Sequence, residues 1–137
     1  MRRIRSALGG IVVAVMVVAA PMGLAASAAS AAPTTTPFQV PRVWASGLFT
    51  FCYPACADYP YVVTGEAPGV ATFHPPPQPF GPETYWVHWT NLATGASGAA
   101  PIPNTGQAVV QTGVGVVTAS MTTGTEYFGA NSIFYVP

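Results

Sequence analysis

Lysine is absent from this 137-residue chain, and charge of either sign is scarce: four arginines, one aspartate and three glutamates make up 6 % of it. Arg2, Arg3 and Arg5 stand at the very start, so the body of the chain sets Arg42 alone against Asp58, Glu66, Glu83 and Glu126, a net charge of −3. A surface built to neutralise nucleic-acid phosphates is thereby excluded. With two cysteines, Cys52 and Cys56, there is neither a multi-bridge disulfide framework nor an all-cysteine zinc site. No apolar run approaches the ~20 residues of a membrane-spanning helix. No aromatic residue precedes Phe38. After Pro37 no stretch of about eleven residues carries apolar residues at the helical period.

What the first residues do contain is an ordered set of export signals. Three arginines lead into the apolar run Ile11 to Ala20, Pro21 and Gly23 break it, and a small-residue stretch ends at Ala29-Ser30-Ala31. That is the pattern of a secretory signal peptide, predicted over residues 1–31. The competing triplet Ser30-Ala31-Ala32 places Pro33 directly after the scissile bond, a poor protease substrate, so the mature chain is expected to begin Ala32-Pro33-Thr34. Arg2-Arg3 is a twin arginine by adjacency only, and general secretion is the expected route. No cysteine precedes Cys52, which rules out lipid attachment at the leader boundary. Once the leader is removed, no stable membrane insertion is expected. The composition, lysine-free and rich in Ala, Gly, Pro, Val and Thr, resembles that of proteins from high-GC bacterial genomes.

Behind the leader, residues 32–37 read as a flexible Thr/Pro segment and residues 38–137 as a single domain. All sixteen aromatic residues lie in that domain, enough for one core. Prolines and glycines cut it into short pieces that read as strands: Val43 to Phe51, Tyr59 to Thr64, Gly69 to His74, Tyr85 to Leu92, Gln107 to Thr112, Val114 to Thr122 and Ser132 to Val136. Thr94-Gly95 marks a hairpin turn. Seven or eight short strands predict an all-β, antiparallel sandwich.

Within it, Tyr85-Trp86-Val87-His88-Trp89 resembles strand C of an immunoglobulin-like domain, with Trp89, on the face of Tyr85 and Val87, in the place of the central core tryptophan. The inter-sheet disulfide of antibody domains has no counterpart, since Cys52 and Cys56 are close neighbours in sequence. The resemblance implies an immunoglobulin-like β-sandwich, with Tyr59 to Thr64, Gly69 to His74, Tyr85 to Leu92, Gln107 to Thr112, Val114 to Thr122 and Ser132 to Val136 as strands A, B, C, E, F and G. At this coarse level small secreted proteins of unknown function from high-GC bacteria are similar. The B–C and F–G loops of such a sandwich emerge at one end, and strand A begins there. Residues 52–58, 75–83 and 123–131 are therefore expected to converge.

The chemistry-bearing residues support no catalytic constellation. Cys52 and Cys56 are expected to form a local disulfide in an oxidising compartment; closing so small a loop stabilises by about 2 kcal/mol. A zinc site from Cys52, Cys56, His74 and His88 conflicts with ligand spacing, because the histidines lie far apart. Ser97, in Gly95-Ala96-Ser97-Gly98, does not fit a nucleophile elbow. Ile102-Pro103-Asn104-Thr105-Gly106 resembles a sortase pentapeptide, but residues 107–137 carry neither an apolar span nor a basic tail, so it reads as a loop with a turn. Neither cofactor nor metal is expected.

The binding residues are therefore sought at the convergent end: Tyr53, Asp58, His74, Phe80, Glu83, Glu126, Tyr127 and Phe128. Tyr127 and Phe128 sit in a glycine-flanked loop with no core of their own to fill, and such aromatics anchor interfaces. The expected object is a secreted or cell-envelope module that binds an extracellular protein or glycan through loops at one end. A carbohydrate-binding module stacking sugars on Trp44, Trp86 or Tyr53 is one alternative. A small hydrolase using Asp58, Glu83 or Glu126 is another.

Overall fold

A computed structural model describes residues 31–45, 55–76 and 84–137. Among these residues there is no helix, and every strand pair is antiparallel. Ten strands follow one another: β1 (Thr34–Pro37), β2 (Arg42–Ala45), β3 (Ala55–Asp58), β4 (Tyr61–Thr64), β5 (Val70–His74), β6 (Thr84–Asn91), β7 (Ser97–Pro103), β8 (Ala108–Gln111), β9 (Gly115–Thr122) and β10 (Ala130–Val136). They form a first sheet in the order β1-β4-β5-β8, a second in the order β10-β9-β6-β7, and a two-stranded ribbon of β2 and β3.

Period-two alternation decides which side of each strand is inside. In β6, Tyr85 and Val87 are buried while Trp86 and His88 face solvent. Along β10, Ala130, Ser132, Phe134 and Val136 point inward and Asn131, Ile133 and Tyr135 outward. Val62, Ala71 and Phe73 of the first sheet and Tyr85, Val87, Ile102, Val117, Met121, Phe134 and Val136 of the second belong to one buried cluster. Phe73 meets Phe134 edge to face, ring centroids 5.9 Å apart, which ties the two sheets together. Asn91, fully buried, fixes two connections at once. Its amide donates to the carbonyls of Thr112 and Val114, and its oxygen accepts from the backbone of Ala93 and Thr94 in the β6–β7 turn. Gly69 (φ +72°) accepts backbone hydrogen bonds from Thr112 and Gly113, where a side chain would collide with Gln111.

The strand count exceeds the expected seven or eight, and the three additions are corrections to the sequence reading. Thr34–Pro37, expected as flexible, pairs along its whole length with β4. Thr side chains suit a pleated surface, and Pro37 is tolerated because β1 is an edge. Ala55–Asp58, expected as part of a cysteine loop, pairs with β2. Ser97–Pro103, read as turn and loop, is the edge strand β7, hydrogen-bonded to β6. Trp89 does not hold the centre either: Tyr85 and Val87 are fully buried, whereas Trp89 is partly buried against the core, its indole lying over Gly98. The Thr94-Gly95 turn does join a hairpin, β6 to β7. The predicted leader, residues 1–30 of it, and residues 46–51 of the first predicted strand lie outside the described residues.

Candidate functional site

The one cation among the described residues organises the site. Arg42 opens β2 directly opposite Asp58 of β3, and only 2 % of it is exposed. Its Nε donates to Asp58 Oδ1 at 3.1 Å and its Nη2 to Oδ2 at 2.6 Å, a bidentate pair. The guanidinium carbon lies 5.3 Å from the Trp44 ring centroid and 5.0 Å from that of Tyr85, so the charge sits between two π faces. Trp44 Nε1 donates to Asp58 Oδ2 at 3.0 Å, and Arg42 Nη1 reaches Thr123 Oγ1 at 3.5 Å. Burial raises the Tyr85 phenol above its usual pKa, with Arg42 pulling it down and Asp58 and Glu126 pushing it up.

Beside this pair, the β9–β10 loop is held from two directions. Val43 donates its N–H to the Phe128 carbonyl at 2.9 Å, and its own carbonyl accepts from the N–H groups of Tyr127 at 2.8 Å and Phe128 at 3.1 Å. Within the loop the Glu126 carboxylate accepts from the Thr122 hydroxyl, from the Thr123 hydroxyl at 2.6 Å, and from the N–H groups of Thr123 and Thr125. Desolvation pushes the Glu126 pKa upward. The hydrogen bonds from the Thr122 and Thr123 side chains and from the backbone outweigh it and hold the group at about 2. A carboxylate so stabilised as the anion is unsuited to donate a proton as a general acid. Its role here is to brace the loop.

On that braced loop, Tyr127 and Phe128 are 65 % and 67 % exposed. They border a shallow concavity of about 450 Å³ whose other wall is Val40, Pro41 and Val43.

Of the residues expected to converge, Asp58, Glu126, Tyr127 and Phe128 are therefore brought together through Arg42 and Val43. His74 ends β5 and stacks on Tyr61, rings 4.5 Å apart and 7° from parallel. Tyr53, Phe80, Glu83 and Cys52 lie outside the described residues. Cys56 is buried opposite Trp44 and is not a free thiol. His74 lies in the first sheet and the exposed His88 in the second; among the described residues no three potential ligands cluster. The sequence reading passed over Arg42 and Val43 as site residues. The signal for Arg42 was its isolation, a lone cation among some hundred residues; Val43 acts through its backbone, which leaves no side-chain signature.

No protein-family model, curated protein or solved structure matches the chain significantly.

Proposed function

We propose that this is a secreted or cell-envelope recognition module, built as an immunoglobulin-like β-sandwich, which captures an extracellular partner protein with Tyr127 and Phe128. The strand order supports the fold reading. With β4, β5 and β8 as strands A, B and E, and β6, β9 and β10 as C, F and G, one sheet contains A-B-E and the other G-F-C, the division of an immunoglobulin-like sandwich. β7 then takes the place of C′. A disulfide between Cys52 and Cys56, stiffening the β2–β3 ribbon, belongs to the same proposal, as does removal of residues 1–31 on export.

One observation carries the functional reading: two large aromatics are held two-thirds exposed on a loop that is already ordered. An aromatic anchor on a pre-braced loop loses little conformational freedom when it binds. To test this, producing cells are separated into medium, wall and membrane, and tagged protein is crosslinked in each. The double variant Tyr127→Ala/Phe128→Ala is expected to lose the crosslinked partner by about thirtyfold or more, as for hot-spot residues. Its unfolding free energy should shift by less than about 0.5 kcal/mol. Undiminished capture, or a stability loss above about 3 kcal/mol, marks the two rings as structural caps.

A further inference from the structure

The outer face of the second sheet is a surface with its own chemistry, meeting the concavity beside Tyr127 and Phe128 at Val40 and Asn131. Cross-strand register places His88, Ser120 and Asn131 in one row across β6, β9 and β10, and Thr90, Thr118 and Ile133 in the next. These two rows floor an open concavity of about 550 Å³, within the range of small-molecule sites. Gln39 and Val40 form its wall: Val40 pairs with Asn131, and the Gln39 amide bonds both backbone groups of Ile133.

Three properties of the face narrow its occupant. Among the described residues it carries no charged side chain, since Arg42, Asp58, Glu66 and Glu126 are engaged elsewhere. Its floor sets hydroxyl, amide and imidazole groups around the exposed Ile133, and among the described residues neither the His88 ring nor the Ser120 hydroxyl has a hydrogen-bonding partner. Finally, an exposed aromatic stands at each end. Trp86, 46 % exposed, is opposite Thr122; Tyr135, 59 % exposed, is opposite Val116. Six residues along β9 separate the two positions, roughly 20 Å at the rise of a strand.

A protein interface concentrates its apolar anchors at the centre and its polar groups at the rim. Here the polar groups of the two middle rows surround the single apolar Ile133, and the aromatic rings stand at the ends. A chain of neutral sugars has the complementary form: each ring offers an apolar C–H face for stacking and a rim of hydroxyls that donate and accept, without charge. We propose that this face binds a neutral glycan chain lying along β9, with terminal sugars stacked on Trp86 and Tyr135 and the intervening hydroxyls on His88 and Ser120. The site adjoins the loop carrying Tyr127 and Phe128, since Val40 and Asn131 line both concavities, but it uses neither of those rings.

The test titrates purified protein, by calorimetry, with neutral glucose, mannose and xylose oligosaccharides from disaccharide to hexasaccharide, and with an oligogalacturonate as the charged control. Affinity for a neutral series should rise with chain length, and the charged series should bind at least about tenfold more weakly. Trp86→Ala and His88→Ala should each weaken the hexasaccharide about tenfold, and Tyr135→Ala should abolish the gain from added length. The thermal midpoint should stay in place, since all three side chains are exposed. Tyr127→Ala/Phe128→Ala should bind sugar normally, so that failure of the loop reading and failure of this one are told apart. Absence of binding across all neutral series, preference for the charged series, or indifference to Trp86→Ala overturns the proposal. So does a dimer in solution that Trp86→Ala dissociates, which makes the face a contact between copies.

Discussion

Arg42 shows how much one residue can hold when charge is scarce. Its partner Asp58 is only 10 % exposed at the side chain, so Arg42→Ala leaves a carboxylate with little water and no cation. The expected loss is about 3 kcal/mol or more, read from chemical denaturation. Replacing the pair together, Arg42→Met with Asp58→Leu, should recover most of that loss, because the penalty lies in the orphaned charge. Glu126 gives a pH signature. Its carboxyl is held at about 2 in the folded chain against 4.5 ordinarily, so its contribution to stability is complete above pH 4.5 and disappears as pH falls towards 2. In Glu126→Gln the thermal midpoint should lose that part of its acid dependence, and a difference curve flat over this window would refute the bracing role. At this scale the sequence made Asp58 and Glu126 visible as two of very few acids. It could not show that each is engaged by a neighbour, because the engagement depends on which strands pair.

At the scale of elements, the strands that escaped the sequence reading have a common cause. β1 and β7 are sheet edges and β3 belongs to a two-stranded ribbon. Edge strands are freed from the demands that mark central ones: β7 contains Pro101 and Pro103, and β1 ends in Pro37. The central strands β4, β6 and β9, flanked on both sides, show the alternation that made them legible. Edges also need protection, and β10 has it. Val40 pairs with Asn131, the Gln39 side chain substitutes for a strand at Ile133, and Gly69 donates to the carbonyl of Pro137 just beyond the strand. Gln39→Ala should reopen the edge at Ile133. Concentration-dependent association, seen by light scattering and absent from the parent protein, is the expected result; a monodisperse variant would mean that Val40 alone closes the edge.

For the molecule as a whole, the all-β class and antiparallel pairing were legible because turn residues recur at short intervals and no helical period competes. The β4–β5 and β9–β10 hairpins and the turn between β6 and β7 were legible too, being local. The crossings carry no local signal: which sheet receives β8 depends on where the side chains of the other strands have gone, information spread along the chain, and only the resemblance implied a place for it. The candidate site follows the same rule. Its loop residues stood out by composition, while the face of the second sheet, assembled from β6, β9 and β10, became visible only with the register. Scarcity of charge acts at this scale as well: Arg42, Asp58 and Glu126 brace one end, and among the described residues no charged group is left for the outer face of the second sheet.

The crossing of the chain between sheets also sets a timetable for folding. β4 with β5, β6 with β7 and β9 with β10 are neighbours along the chain, and such hairpins close in about 1–10 μs. The pairing of β5 with β8 joins Phe73 to Ala108, and that of β6 with β9 joins Trp86 to Thr122, each across dozens of residues. Loop closure must be met in full before those contacts form, which places completion of the fold at about milliseconds to seconds. During that interval β8 has no partner and β6 is paired on one side only. The newly made chain therefore passes through a stage in which its most strand-prone segments stand open to one another and to other copies, and survival of that stage depends on dilution as much as on the final structure.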